Sequence, residues 1–168
     1  EVGMMVPAER HIESAIELSR RDGLRIEPVV TVHPSVDIDK PWHILDANIL
    51  MIRWLCEEME NDGDRASNEA IDPSAAIEGY VRLGTGSRIG KNVIVRGNLI
   101  AGDNVTIDAG AIIDGDVVIG DESFVGNGCF IEGGSCIGKR CVVSHAAELF
   151  GVIFDNVYLY HYMEICGV

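Results

Sequence analysis

Aliphatic residues recur at every sixth position from Ile71 to Phe154, and this pattern dominates the chain. Thirteen of fourteen successive units begin with Ile, Leu or Val, and Ala101 begins the remaining one. The fifth position of the first thirteen units is Ala, Ser, Cys or Val, except at Leu99. An α-helical stripe recurs at 3.6 residues, so a six-residue period instead predicts a short strand followed by a tight turn. The units read IDPSAA, IEGYVR, LGTGSR, IGKNVI, VRGNLI, AGDNVT, IDAGAI, IDGDVV, IGDESF, VGNGCF, IEGGSC, IGKRCV, VSHAAE and LFGVIF.

Hexapeptide repeats of this kind predict a left-handed parallel β-helix, with each strand pairing to the equivalent strand one coil away. At three units per coil, fourteen units make roughly 4.7 coils. We expect the fifth-position residues to fill the space that the first-position residues leave inside the coil. The residues expected to point inward are Ile77, Leu83, Ile89, Val95, Ile107, Ile113, Ile119, Val125, Ile131 and Ile137.

The first seventy residues follow a different pattern, which predicts a small α/β segment over 1–60 and a polar linker over 61–70. A partial apolar face predicts a helix from Ala8 to Arg21, and Gly23 follows it as a stop. Arg25 to Val32 is predicted as a strand broken at Pro28. A second helix is predicted from Pro41 to about Glu60. The predicted β-helix domain then covers 71–168.

The net charge and residue composition of the chain limit the kinds of partner and the cellular setting that we expect. The net charge is −14, which argues against nucleic acid and anionic membranes as partners but leaves anionic small molecules open. No apolar run is long enough to cross a bilayer, and no signal peptide is visible. The five cysteines are odd in number and contain no CxxC, so we expect a reducing, cytoplasmic setting. Cys129 and Cys141 occupy fifth positions and are expected to be small core residues.

A resemblance to a known family begins at Val36, in the stretch VDIDKPWHILDAN. This stretch is similar to D-[IV]-[DG]-x-P-W-D-L-L-x-A-N, which closes the catalytic domain of sugar-1-phosphate nucleotidylyltransferases. The order of motif, long helix, linker and hexapeptides resembles the C-terminal part of the bifunctional uridylyltransferase/glucosamine-1-phosphate acetyltransferases and their archaeal relatives. The chain lacks that family's G-x-G-T-R nucleotide loop, so we do not expect nucleotidyl transfer from these residues. Asp37 and Asp39 are either magnesium ligands or helix-capping acids, and we favour capping and expect no metal.

The resemblance implies a homotrimer that binds acetyl-CoA between neighbouring prisms and transfers the acetyl group to a sugar-type acceptor. His161, in HYMEICG, falls on the catalytic histidine of the family's H-x-x-Y-[IVL]-G stretch, and histidine suits proton removal near neutral pH. Glu148 falls on the glutamate of the family's V-E-[MI]-K segment. With Tyr162 and Glu164 it forms the expected substrate-binding set around His161.

Three positions depart from the family pattern. Phe150 occupies the position of a lysine in the family, Glu132 that of an arginine and Glu164 that of a tyrosine. In the family the two cations hold the sugar phosphate, so their loss disfavours a sugar-1-phosphate acceptor. His161 is therefore either a catalytic base or a structural histidine, and for His145 the structural interpretation is favoured.

Three functions stay open on the sequence alone. The first is an acyltransferase, and the second is a non-catalytic β-helix that trimerises or regulates a nucleotidylyltransferase domain. The third is a γ-class carbonic anhydrase, suggested by Val95-Arg96-Gly97-Asn98. That class needs three zinc-binding histidines, whereas the repeat holds only His145 and His161, whose 16-residue separation does not suit such a site. The missing initial methionine and the abrupt end at Val168 lead us to expect a fragment of a longer protein.

Overall fold

A computed structural model describes residues 12–32, 35–62 and 70–167. The described residues form two helices and fifteen short strands. They fall into two compact units, one ending at Pro34 and the other running from Ser35 onward. The second helix therefore belongs to the same unit as the strands.

In the first unit, α1 spans Ile12–Arg21, so the predicted helix is confirmed from residue 12. Residues 8–11 of that prediction lie outside the described part. The carboxylate of Glu17 accepts hydrogen bonds from Arg20 and Arg21, at 3.1 and 3.2 Å. Such exposed pairs at i,i+3 and i,i+4 add a few tenths of a kcal/mol to helix stability.

The predicted strand from Arg25 to Val32 is wrong. The chain is irregular after α1, and residues 24–32 belong to no sheet. A strand requires a second strand to pair with, and no strand of the described sheets pairs with this segment. Pro28, which has no N–H to donate, interrupts the run of β-formers.

The second helix, α2, spans His43–Asp62 and confirms the prediction to within two residues at each end. Its start is a tight turn, in which the N–H groups of His43 and Ile44 donate to the carbonyls of Lys40 and Pro41. Pro41 fits this turn because its fixed φ suits the beginning of a helix. Of the predicted linker, residues 63–69 lie outside the described part.

The strands stack into a parallel β-helix with three faces. Face 1 contains β1 (Ala76–Ile77), β4 (Ile94–Val95), β7 (Ile112–Asp114), β10 (Phe130–Glu132), the first half of β13 (Glu148–Ile153) and β15 (Glu164–Gly167). Face 2 contains β2 (Val81–Leu83), β5 (Leu99–Ala101), β8 (Val117–Ile119), β11 (Cys136–Ile137) and the second half of β13. Face 3 contains β3 (Arg88–Ile89), β6 (Thr106–Ile107), β9 (Phe124–Val125), β12 (Val142–Val143) and β14 (Tyr158–Leu159).

The coil interior is the one that the hexapeptide pattern predicts. Eight of the ten residues expected to point inward are at most 2% exposed, and Ile77 and Leu83 near the first coil pack against them half-buried. The buried fifth-position residues include Cys129 and Cys141, both inaccessible as expected. The prediction of a hexapeptide β-helix is confirmed.

Serine is tolerated at the buried fifth position because its hydroxyl forms hydrogen bonds with backbone groups of the next coil. Ser123 is 1% exposed; its hydroxyl donates to the carbonyl of Gly138 and accepts from the N–H of Cys141. Ser87 makes the equivalent pair of bonds with Gly102 and Val105. A buried hydroxyl with both bonds made avoids the desolvation cost of an unpaired polar group.

Helix α2 packs on the outside of the β-helix and is fixed near both of its ends. Near the start, Asn48 Nδ2 donates to the carbonyl of Gly134 at 2.9 Å. A side chain at residue 134 would press on Ile49, since a Cβ there would lie 3.0 Å from Ile49 Cγ1. Near the end, Asn98 Nδ2 donates to Glu60 Oε1 at 2.7 Å. The helix therefore spans several coils.

The face of α2 between these bonds is apolar and buried. Ile52, Cys56 and Met59 are at most 2% exposed. Burial, with the nearby carboxylates of Asp116 and Glu60, raises the pKa of the Cys56 thiol to about 12. Cys56 therefore behaves as a small hydrophobic residue and not as a reactive thiol.

Candidate active site

The last coil is two residues shorter than the coils below it. Phe130 pairs with Glu148, 18 residues later, whereas Cys136 pairs with Val152, 16 residues later. The difference arises at the corner between faces 1 and 2. Four residues, 132–135, separate Ile131 from Cys136, whereas Phe150 and Gly151 alone separate Leu149 from Val152.

Glycine makes this short corner feasible. Gly151 adopts φ of 144°, which side-chain-bearing residues rarely adopt. A Cβ at residue 151 would also overlap the backbone carbonyl of Gly167 in the next layer. The change of coil length therefore falls within the last of the fourteen units, LFGVIF.

The short coil brings His145 and His161 into register. Val142 and Val143 of β12 pair with Tyr158 and Leu159 of β14, so the residues that follow occupy equivalent corners on neighbouring coils. The two imidazole rings stack, with centroids 4.9 Å apart and planes within 2°. The 16-residue separation, which does not suit the zinc site of a γ-class carbonic anhydrase, equals the length of the short coil and so places the two histidines at equivalent corners.

Tyr162 completes a cluster of three rings. Its ring stands edge-on to His145 at 5.7 Å and to His161 at 5.6 Å. Tyr162 has a left-handed φ of 57°, and Ala146, at the equivalent corner of the coil below, has φ of 52°. The N–H of Tyr162 donates to the carbonyl of His145 at 3.3 Å. Both histidines and Tyr162 are exposed, so the cluster is accessible from solvent.

The predicted glutamates lie three residues beyond the histidines. Glu148 begins β13, Glu164 begins β15, and the two pair directly on face 1. Both are exposed. The hydrogen bond from Cys166 Sγ to Glu164 Oε1, at 3.4 Å, is the main cause that raises the pKa of the Cys166 thiol. Burial and the charges of Glu164, Glu132 and Glu148 add to the rise, so three carboxylates act on this one thiol.

The last coil around the ring cluster is rich in aromatic residues. Residues 141–168 include no Lys or Arg. Tyr158 and Tyr160 pack ring to ring at 4.9 Å and are both more than half exposed. Phe154 and Met163 are also exposed. Such a patch of exposed aromatic side chains is typical of a binding or association surface.

Sequence reasoning placed His161, Tyr162, Glu148 and Glu164 in one region, and the structure brings them to neighbouring corners and strands. The contact of His145 with His161 was not predicted, and the structural interpretation of His145 stays a prediction. In the sequence, this contact is indicated by the replacement of four residues, Glu-Gly-Gly-Ser at 132–135, by two residues, Phe150 and Gly151, one coil later. Its effect on register becomes apparent only once the coils are stacked.

At the start of α2, Asp39 lies beside the first residue of the helix. Asp39 Oδ1 lies 2.7 Å from His43 Nδ1, four residues later, and Lys40 Nζ lies 5.5 Å from the ring centre of Trp42. No group of three or more His, Cys, Asp or Glu side chains with metal-site geometry occurs in the described ranges. Neither of the two described helices is long and apolar enough to cross a lipid bilayer.

Comparisons with known proteins agree with the repeat. Residues 102–133 match the family model described as "Bacterial transferase hexapeptide (six repeats)". A search of curated proteins gives no match to this chain.

Among the solved structures that are similar to the chain are two acetyltransferases, each at 18% identity. One is the acetyltransferase domain of PglB from Neisseria gonorrhoeae FA1090 in complex with acetyl coenzyme A. The match covers 80% of this chain and 78% of that domain, with a TM-score of 0.36. Serine acetyltransferase from Brucella abortus strain S19 covers 76% of this chain, with a TM-score of 0.31. The chain spans about half of that second protein, 54%.

The matched repeat thus has the hexapeptide pattern of bacterial transferases. The resemblance to sugar-1-phosphate nucleotidylyltransferases stays a prediction, since no comparison reaches residues 36–48 with that specificity. At this identity and TM-score, the two structures do not bear on substrate.

Proposed function

We propose that the last coil carries an acyltransferase site in which His161 is the general base. The donor is acetyl-CoA and the acceptor is a sugar-type molecule. The observation that supports this most directly is the ring cluster of His145, His161 and Tyr162. It lies exposed at the predicted catalytic position, where the regular coil gives way to the short one.

In the proposed reaction, a nitrogen of His161 accepts the proton of the acceptor amine or hydroxyl as that group attacks the thioester carbonyl. The tetrahedral intermediate then collapses, the new amide or ester remains on the acceptor, and coenzyme A leaves as the thiol with the proton from His161. A positioned base of this kind contributes about 10²–10⁴-fold to rate. Glu148 and Glu164 lie next along the same coils and would contact the acceptor.

The local charge favours an acceptor without phosphate near the reacting group. Residues 141–168 contain three acids, Glu148, Asp155 and Glu164, and no Lys or Arg. Phe150 and Glu132 stand where the resembling family has its two cations. Carboxylates attract an ammonium group and repel a phosphate, so an uncharged or amine-bearing sugar is the proposed acceptor class.

We further propose a homotrimer in a reducing, cytoplasmic setting, with the site completed at the contact between copies. The exposed Tyr158, Tyr160 and Phe154 supply apolar surface for such a contact, and the five unpaired cysteines fit reducing conditions. Sedimentation equilibrium at tens of micromolar tests the assembly. A mass about three times the 18.2 kDa chain is expected, and a monomer would remove the shared site.

The second candidate function is a non-catalytic β-helix that trimerises or regulates a nucleotidylyltransferase domain. The replacement of the basic pair by Phe150 and Glu132 is the observation that favours it. The hydrogen bonds of Asn48 and Glu60 hold α2 against the coils, which suits the attachment of such a domain to the β-helix.

Product detection separates the two candidates. The chain is incubated with acetyl-CoA and a panel of amino sugars, neutral sugars and nucleotide sugars, and acetylated product is identified by mass. Acetylation of an amine-bearing sugar, absent with His161→Ala, is the expected result. No product from a confirmed trimer with any acceptor would favour the non-catalytic function.

A further inference from the structure

We propose that His145 and His161 form a two-histidine binding site for a divalent transition-metal ion, of which Zn²⁺ is the representative. The proposal does not depend on acyl transfer. A His161 imidazole that binds the ion cannot also take up a proton as the general base, so a bound ion would block that role. The proposal differs from the sequence-based expectation that the chain binds no metal.

The first argument is position. The two histidines occupy equivalent corners of neighbouring coils, and their ring centroids are 4.9 Å apart. Zinc binds imidazole nitrogen at about 2.0–2.1 Å, so two nitrogens on one ion lie at most ~4.2 Å apart. The spacing of the rings suits two imidazoles on one ion, but their planes are parallel. Both side chains must therefore rotate to turn one nitrogen of each ring toward a shared ion, and their exposure leaves room for that rotation.

The second argument is availability. No hydrogen bond or ion pair to either imidazole occurs among the described residues, so each ring has a nitrogen free to bind. Within the cluster, each imidazole contacts the other imidazole and the ring of Tyr162. Imidazole suits Zn²⁺, Ni²⁺ and Cu²⁺, whereas Mg²⁺ and Ca²⁺ prefer oxygen.

The third argument is charge. The charged residues closest in sequence to the two histidines are Glu148 and Glu164, which favour a cation. The nearest cation in sequence, Arg140, lies beside Asp155 and Asn156. The described ranges contain no site with three or more protein ligands. The proposed site is therefore open, with water filling the remaining positions of the ion, and it binds more weakly than a structural zinc site.

Isothermal titration of the full chain with ZnCl₂ tests the proposal. One ion per chain is expected, and His145→Asn and His161→Asn should each weaken binding by about tenfold or more, since even the loss of a supporting residue around a metal costs 10–100-fold. His43→Asn is the matched control, because this histidine lies in α2 beside Asp39, and it should bind as the parent does. Circular dichroism checks that each variant remains folded.

A second measurement separates this site from a thiol site. Cys166 is exposed and beside Glu164, so Cys166→Ser should leave zinc affinity unchanged. In NMR spectra of the parent, Zn²⁺ should shift the ring signals of His145 and His161 and leave those of His43 in place. Absent binding heat, affinity unchanged by His145→Asn, or binding lost in Cys166→Ser alone would each overturn the proposal.

Discussion

The regular coils and the short last coil have the same apolar interior, but their outer surfaces differ in polarity. Along face 1, Ile113 and Ile131 are fully buried, and Leu149 continues the same column at 0% exposure. The residue before each of these three lies on the outer surface. It is half-buried on the regular coils, at Ile112 and Phe130, and it is an exposed acid at Glu148, which pairs with exposed Glu164 one coil later. Packing determines the inner column, while the outer column is free to change from apolar to acidic.

The largest expected effect comes from breaking the interior. Ile113→Asp buries an unpaired carboxylate in the core and should destabilise the domain by several kcal/mol, enough to unfold it. Ile112→Asp, on the outer surface of the same strand, is the matched control and should cost much less. Thermal unfolding followed by circular dichroism measures both, and equal losses would contradict the assignment of inner and outer columns.

The next effect concerns the short corner. Gly151→Ala places a Cβ against the backbone of Gly167 at φ of 144°, so we expect a loss above about 3 kcal/mol. Gly128→Ala tests backbone strain without a clash, because a Cβ there meets nothing within 4 Å at φ of 65°. It should cost about 1–2 kcal/mol. Similar losses in urea unfolding would show that the last coil is no tighter than the others.

A smaller effect concerns pH and the contact between α2 and the coils. The folded pKa of Cys56 is about 12 against an ordinary value of 9.0, so the unfolded chain loses this proton first as pH rises. Stability from this thiol is intact below pH 9 and falls through the window from 9 to 12, by about 1 kcal/mol at pH 10. Cys56→Ala should flatten this part of the pH–stability curve, and an unchanged slope would contradict the buried environment.

The smallest effect concerns the missing cations beside the site. Phe150→Lys with Glu132→Arg restores the charges of the resembling family. Binding of a sugar-1-phosphate should tighten by up to about fivefold for each cation, as for exposed charge pairs. Titration calorimetry against the uncharged sugar, whose binding should not change, supplies the control. No gain for the phosphate would separate these positions from the acceptor site.

The contrast also explains how far the sequence alone predicts the molecule. A strict six-residue period specified the inner column because each unit repeats the same packing constraint, and the second helix was predictable from its apolar residues. The strand from Arg25 to Val32 failed because β-propensity cannot supply a partner strand. The stacking of His145 on His161 could not be predicted because this contact depends on coil length, which a two-residue shortening at a distant corner controls.

The central claim is that the regular coils are scaffold and that chemistry resides at His161. Thiol release from acetyl-CoA, in the presence of an acceptor identified by product mass, tests it most directly by comparing two variants. Ile137→Val trims a core residue that is 1% exposed, and it should lower the melting temperature, at a cost of about 0.5–1.5 kcal/mol, while keeping kcat. His161→Ala should keep the melting temperature and lower kcat by about 10²–10⁴-fold. A His161→Ala rate equal to that of the parent would contradict the account.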